Sequence, residues 1–158
     1  MRTILKSLAM ATTVLFAISC DNQKSVFSKE QPDYQNAPLI SGDSSKWISA
    51  NIYFNSPKRY AYAPSISKKE NKILAWTLEV GDTGSLGLGR ARWFYLNEYS
   101  PDFNNYRSIK IVIQYPETGR QTISDTPDAK WRPTNDDMSS SMEWAIAVKR
   151  YCDNNAIR

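Results

Sequence analysis

Few residues in this chain form the patterns that catalysis usually needs. The sequence contains no histidine, which removes the usual general base and every Ser-His or Cys-His nucleophile pair. Ser65 and Lys68 have Ser-x-x-Lys spacing, but they lie in a turn-like stretch and do not open a buried helix. We therefore expect no catalytic residue and rank an envelope hydrolase last among the functions. The carboxylates show no recognisable pairing; the candidates are Glu79, Asp82, Asp125, Asp128, Asp136 and Asp137.

Metal and disulfide chemistry are limited as well. The chain has two cysteines, Cys20 and Cys152. If Cys20 is lipidated, as argued below, Cys152 is the remaining thiol, which excludes a cysteine metal cluster and an intramolecular disulfide. We expect no metal and no cofactor. The Cys152 thiol is either buried or available for intermolecular pairing, and burial is favoured because its helix turns it towards the sheet.

Residues 1–19 have the layout of a secretory signal peptide. Arg2 and Lys6 form a short basic region, and residues 8–18 are apolar apart from two threonines. This run is shorter than the ~20 residues that a membrane-spanning helix needs. We therefore expect the segment to direct export and then to be removed.

The end of this segment suggests covalent lipid attachment. Ala17-Ile18-Ser19-Cys20 resembles the lipobox of bacterial lipoproteins, which implies cleavage after Ser19 and acylation, palmitate included, of Cys20. Ala17 stands where leucine is usual, so cleavage nearby by an ordinary signal peptidase is the alternative. Several acyl chains would hold the protein on a membrane, since each buried methylene contributes ~0.8 kcal/mol. Asp21 resembles an inner-membrane retention signal, so both the inner membrane and the outer membrane or cell surface remain open.

Composition indicates one domain without affinity for nucleic acid. Removing Arg2 and Lys6 leaves 18 basic against 16 acidic residues, a net charge of +2. Such a small excess gives no support to a nucleic-acid partner. Residues 20–42 lack apolar periodicity and indicate a lipidated flexible tether, although Tyr34 or the Leu39-Ile40 pair could instead pack on the domain. Residues 43–158 form a single β-rich domain.

The domain pattern is that of a small antiparallel sheet. Strand-like runs are separated by turn residues, and residues 81–89 form a glycine-rich hairpin loop, since no helix or Lys-Ser/Thr pair follows as in a phosphate-binding loop. In the run 72–80, Leu74, Trp76, Leu78 and Val80 share the core face of a half-buried strand. The other predicted strands cover residues 47–54, 58–63, 90–96, 108–115 and 120–124.

One helix follows the strands. It is predicted over residues 141–152, with Ser140 and Glu143 as a capping box and Asp136 and Asp137 just before it. A stripe of Ser141, Ala145, Val148 and Cys152 faces the sheet. The fold class is therefore α+β, an antiparallel sheet of about five to six strands with one C-terminal helix packed against it.

The spaced aromatic residues support a resemblance to known families. The chain resembles surface-adhesin E-like proteins and the related CNP1-like proteins over residues 46–152. The matching elements are Trp47, Arg59-Tyr60-Ala61-Tyr62 leading into residues 65–67, the strand at 75–78, and the ending from 131–133 to Tyr151-Cys152. The resemblance implies a small sheet with a helix against it and, in the namesake, adhesion to host matrix proteins. It also implies a second cysteine that pairs with the terminal one, but the corresponding strand at 107–115 has none.

Aromatic and arginine residues give the candidate contacts, because both types are enriched at protein interfaces. We expect Trp76, Trp131 and Trp144 to be core. The expected function is a lipid-anchored, noncatalytic cell-envelope binding protein, with surface adhesion as the leading role and periplasmic immunity, exclusion or inhibition as the alternative. The partners are a membrane, through the anchor, and another protein, either a host matrix protein or an envelope or toxin protein. The candidate exposed contacts are Arg59, Tyr60, Tyr62, Arg92, Trp93 and Tyr95.

Overall fold

A computed structural model describes residues 34–40, 43–52, 57–82, 90–135 and 140–157. The predicted signal peptide at 1–19, Cys20 with its lipid, Asp21 and most of the tether lie outside these residues. So do Asp136, Asp137 and the loop at 83–89.

Over the described residues the domain is an antiparallel sheet with one α-helix and two short 3-10 helices, Ser44–Lys46 and Ala63–Ser65, which confirms the α+β class. The strand order is β1-β2-β4-β5-β6-β7, while β3 pairs with β4 and β8 pairs with β6. The described residues form eight strands, so the expected five to six was too low. The missed strands β3 and β8 are three and two residues long and carry no apolar alternation. The elements are β1 Trp47–Ser49, β2 Lys58–Tyr62, β3 Ser67–Lys69, β4 Lys72–Asp82, β5 Arg90–Tyr99, β6 Asn105–Tyr115, β7 Arg120–Asp125, β8 Arg132–Pro133 and α1 Ser140–Asn154.

The hairpins follow the turn residues of the sequence. Strands β1 and β2 pair with Ile48 opposite Ala61. Strands β4 and β5 pair from Ile73 with Tyr99 to Asp82 with Arg90. Strands β6 and β7 are joined through Gly119, which has φ +67°. Because glycine adopts this left-handed conformation without steric cost, it suits the tight turn between the two strands.

Strand β4 is buried on both faces, so the expectation of a half-buried strand was wrong. On the helix face of the sheet, Ile73 and Ala75 pack against Ala145, Val148 and Cys152 of α1. The predicted helix stripe is thereby confirmed. The sequence alternation could not reveal this cover, because Ile73, Ala75 and Thr77 are small or polar enough to be read as a solvent face.

The opposite face, called here the Trp76 face, holds a second apolar cluster. It consists of Trp76, Leu78, Phe94, Leu96 and Val112. Its cover includes Trp47, Tyr62 and, from upstream of β1, Tyr34 and Ala37. The Tyr34 hydroxyl donates to the Ser65 carbonyl at 3.0 Å. Tyr34 therefore packs on the domain, as one of the two sequence interpretations allowed, whereas Leu39 is 81% exposed.

The start of α1 carries Glu143, one of the two residues of the predicted capping box. Ser140 is the first helical residue, and the Glu143 carboxylate accepts a hydrogen bond from the Ile52 backbone N–H at 2.9 Å. The second Glu143 oxygen bonds Arg59. Glu143 thus connects α1 to strand β2 and to the segment that follows β1. The helix ends at Asn154. Just beyond it, Ala156 has φ 52° and Ile157 N–H donates to Cys152 O at 3.1 Å, a closure typical of helix C-termini.

Candidate functional site

The six residues expected to form a contact surface lie on opposite faces of the sheet. Arg59 is opposite Glu79, which is opposite Trp93, and Tyr95 is opposite Thr77. These residues share the helix face. Tyr60, Tyr62 and Arg92 occupy the alternate positions and share the Trp76 face. Because residues on opposite faces of a sheet cannot contact one flat partner together, the six do not form one surface.

Arg59 is enclosed by two carboxylates. Its Nε lies 2.8 Å from Glu79 Oε2 and its Nη1 lies 2.5 Å from Glu143 Oε2. Its side chain is 11% exposed and that of Glu143 is 0% exposed. Desolvation alone would lower the pKa of Arg59, but the hydrogen bonds with Glu143 and Glu79 outweigh it and the pKa is raised. Arg59 therefore fastens α1 to the sheet.

Tyr60 and Tyr62 contribute to packing on the Trp76 face. Both are half-buried against the Trp76 cluster. The rings of Tyr62 and Trp47 lie 4.8 Å apart between centroids. These tyrosines shield the core, which limits the area that they can offer to a partner.

Trp93 and Tyr95 lie on the helix face beyond the Arg59 cluster. The Trp93 ring lies across Gly81, where an added Cβ would come within 2.7 Å of the ring. The Tyr95 ring lies 5.1 Å from that of Trp144. Burial, followed by the nearby negative charge of Glu79, raises the pKa of Tyr95 to about 12. Tyr95 is thus neutral at physiological pH and presents an aromatic wall.

Tyr95 also lines an open groove of about 900 Å³ beside the start of α1. Its aromatic walls are Tyr95, Tyr106, Trp131 and Trp144, and we call it the aromatic groove. It lies between β5, β6, α1 and the segment that follows β7. The charged residues around it are Arg107, Asp125, Asp128, Lys130 and Arg132.

Trp131 is held at this groove by the segment that follows β7. Thr126 donates through its hydroxyl to Ser108 O at 2.7 Å, and Arg107 donates to Ala129 O at 3.4 Å. The Arg107 guanidinium lies 5.1 Å from the Trp131 ring centroid, within the range of a cation–π contact. Trp131 is nevertheless 41% exposed, so the expectation that it is core was wrong.

The sequence carried one signal for this part of the groove. Trp131 stands between Lys130 and Arg132 in a polar connection without apolar periodicity. An isolated tryptophan in such a setting has no apolar face to join, which favours exposure. No comparable signal marks Tyr106 or Arg107, since both lie in strand β6 and resemble ordinary strand residues.

Trp144 has a polar group that the described residues leave unpaired. The ring is 3% exposed, and its indole N–H has no hydrogen-bond partner in the described part of the chain. An unpaired buried donor costs ~1–3 kcal/mol.

Most of the other polar side chains that could take part in chemistry bond structural partners. Ser65 donates to Tyr62 O and accepts from Trp76 N–H, each at 2.8 Å. Lys68 is exposed on β3. A buried network links Asn97 Nδ2 to Thr77 Oγ1 at 2.9 Å and Ser108 Oγ to Asn97 Oδ1 at 2.6 Å. Ser65 and Asn97 therefore hold neighbouring strands together.

The described residues contain no group of three or more histidine, cysteine, aspartate or glutamate side chains that could hold a metal ion. In the same part of the chain, no helix has both the length and the apolar character needed to cross a membrane. No protein-family model, no curated protein and no solved structure matches this chain.

Proposed function

We propose that this chain is a lipid-anchored, noncatalytic binding protein of the bacterial cell envelope and that it holds another protein at the aromatic groove. The observation that carries this proposal is the groove itself. Four aromatic rings and three basic side chains converge on one open surface.

The composition of the groove suits protein recognition. Tryptophan, tyrosine and arginine dominate binding hot spots, because they combine large contact area with directed hydrogen bonds. The volume of about 900 Å³ is open to one side, so it can accept side chains of a partner. Arg107 is already paired with Glu98 at 2.6 Å, so its charge is balanced before any partner arrives.

Adhesion is the preferred role within this class. The spaced aromatic residues resemble those of surface-adhesin E-like proteins, in which the namesake binds host matrix proteins. The exported, acylated amino terminus expected from residues 1–20 would place such a domain at a membrane face. Host matrix proteins are accordingly the first partners to test.

A photo-crosslinking residue at position 131 tests the groove. In intact cells mixed with immobilised matrix proteins, we expect one discrete crosslinked species from position 131. The same residue at position 68 is the matched control, because Lys68 is exposed on β3 and outside the groove. Equal crosslinking from both positions would contradict a specific groove.

Alanine variants measure how much Trp131 contributes to the affinity for the partner. We expect Trp131→Ala to weaken partner binding by at least about tenfold, since central aromatic residues typically contribute ~2 kcal/mol or more. Lys68→Ala should leave affinity unchanged. Circular dichroism of both variants controls for folding. Unchanged binding by Trp131→Ala would reject the aromatic groove as the binding surface.

A periplasmic immunity, exclusion or inhibitor role is the second candidate. Asp21 supports it, because an acidic residue after the lipidated cysteine resembles an inner-membrane retention signal. Fractionation of cells together with protease treatment of intact cells separates the two roles. A chain digested from outside is a surface protein, whereas a protected inner-membrane chain favours the immunity or inhibitor role and contradicts adhesion.

A further inference from the structure

Strand β7 forms an edge of the sheet, and no other strand of the described residues pairs with its outer side. All six of its residues, Arg120 to Asp125, are exposed, and Ile123 is 54% exposed. Its register with β6 runs without a bulge from Tyr115–Arg120 to Lys110–Asp125. Proteins usually protect such edges with proline, lysine or a bulge. The β7 strand has none of these.

The ladder determines which backbone groups of β7 face outward. Just after β7, Thr126 N–H donates to Ile109 O at 2.8 Å. In an antiparallel ladder, alternate residues direct their backbone groups to the same neighbour. Thr122 and Ser124 therefore share the orientation of Thr126 and bond β6. Gln121, Ile123 and Asp125 direct their N–H and C=O groups away from the sheet.

We propose that β7 pairs antiparallel with β7 of a second copy of this chain, with the two-fold axis at Ile123. In this register Ile123 lies opposite Ile123 of the second copy, and Gln121 lies opposite Asp125. Each pair joins outward-facing backbone groups, and paired side chains lie on the same face of the continuous sheet. This inference does not depend on the aromatic groove or on the lipid anchor.

The side chains of the strand favour a second copy over an unrelated strand. The exposed Ile123 side chains cover each other at the axis. The Gln121 amide can donate to the Asp125 carboxylate, which Lys110 already contacts at 3.2 Å. Thr122 lies opposite Ser124, so two hydroxyl side chains meet on the other face. No like charges are placed opposite each other.

Pairing of one short strand makes a small interface. Stable protein interfaces bury at least ~1,000 Å² in total. We therefore expect a dimer whose population rises with concentration. Sedimentation velocity of the full chain in mild detergent, over a wide concentration range, measures this equilibrium.

Ile123→Pro tests the hydrogen-bond pattern. It removes an outward N–H and leaves the β6 ladder intact, since proline is tolerated at such edge positions. We expect the dimer dissociation constant to rise on the order of tenfold or more, because one backbone bond is lost from each copy. Ile123→Val is the matched control and should dimerise normally. Ile123→Lys keeps the N–H but places two positive charges at the axis, so it should also give monomers.

Cysteine substitutions test the register. Ile123→Cys places the two Cα atoms ~5.5 Å apart, within the roughly 4.4–6.8 Å range of disulfides. We expect an oxidised dimer from Ile123→Cys and none from Thr122→Cys, whose symmetric partner is displaced by ~7 Å along the strand. The unsubstituted chain controls for Cys20 and Cys152. A chain that stays monomeric overturns the proposal. So does a dimer that persists in both Ile123→Pro and Ile123→Lys, or an edge that pairs only with another protein.

Discussion

Arg59 illustrates how its neighbours decide the role of a charged side chain. Sequence context alone made it a candidate for contact with a partner. In the fold it lies between Glu79 and Glu143, and the latter is fully buried. Burying charges is favourable only when they are paired and hydrogen-bonded, so each member of this cluster depends on the others.

Removing Arg59 should therefore be costly. We expect Arg59→Met to lower the free energy of unfolding by about 3–5 kcal/mol, because it leaves the Glu143 carboxylate buried without its cation. Urea denaturation measures the change. The double variant Arg59→Met/Glu143→Leu is the control and should recover part of the loss. If the single variant is as stable as the unsubstituted chain, the cluster does not fasten α1.

Buried tyrosines predict a loss of stability at alkaline pH. Burial raises the pKa of Tyr95 to about 12, and burial likewise raises the pKa of Tyr99 above its ordinary value of 10.0. The unfolded chain releases these protons near pH 10, before the folded chain does. The contribution of these tyrosines to the free energy of unfolding is therefore fully present below pH 10 and decreases as the pH rises towards 12. Thermal unfolding across this range should show a smaller decrease for Tyr95→Phe.

Cys152 should behave as a buried, unreactive thiol. It is 3% exposed and free, and burial, followed by the nearby Asp153, raises its pKa. We expect slow alkylation of the Cys152 peptide in the native chain and rapid alkylation in urea, measured by mass spectrometry. Cys152→Ala should cost about 1 kcal/mol, a small-cavity effect. Rapid native labelling, or a disulfide-linked dimer from cells, would place the thiol outside the core.

At the scale of elements, the sequence predicts those whose own residues carry a pattern. The α1 stripe and the β6–β7 hairpin are of this kind, because apolar periodicity and Gly119 are local signals. Strands β3 and β8 are not, since the residues Ser67–Lys69 and Arg132–Pro133 become strands only through pairing with β4 and β6.

The aromatic groove was predictable only in part for the same reason. Its walls come from β5, β6, α1 and the segment after β7, which are far apart in the chain. Tyr95 was identified from its aromatic strand. The sequence predicts Trp131 to be core, because its place beside Arg107 depends on how the segment after β7 folds back on β6.

Tyr34 connects the segment before β1 to the Trp76 face. Its hydroxyl bonds the Ser65 carbonyl and the Ser67 hydroxyl. We expect Tyr34→Phe to lower the free energy of unfolding by about 1 kcal/mol through lost hydrogen bonds. Tyr34→Ala should cost more, because the ring also covers the core. Leu39→Ala, at an 81% exposed position, is the matched control. Equal stability of the unsubstituted chain, Tyr34→Ala and Leu39→Ala would show that the segment does not stabilise the domain.

At the scale of the whole molecule, the contact of Tyr34 would limit how far the domain can lie from a membrane if Cys20 is acylated as proposed. Residues 21–33 separate it from Cys20. A fully extended residue spans at most ~3.6 Å, so the stretch from Cys20 to Tyr34 reaches no more than about 50 Å. An acylated Cys20 would therefore keep the aromatic groove and the β7 edge close to the bilayer. Confinement of this kind raises the effective concentration of neighbouring copies, which favours a weak dimer.

This arrangement requires that Cys20 is processed and acylated. The signal layout of residues 1–19 and the lipobox-like residues 17–20 predict an amino-terminal Cys20 peptide that carries acyl chains. Mass spectrometry of the membrane fraction should detect it, and detergent should be needed to release the protein because several chains bind a bilayer almost permanently. In Cys20→Ala, unprocessed precursor should accumulate. Ser28→Ala, downstream of the cleavage site, is the control and should be processed normally. A soluble mature chain that begins at Asn22 or later would show that an ordinary signal peptidase cuts nearby and that the domain works without an anchor.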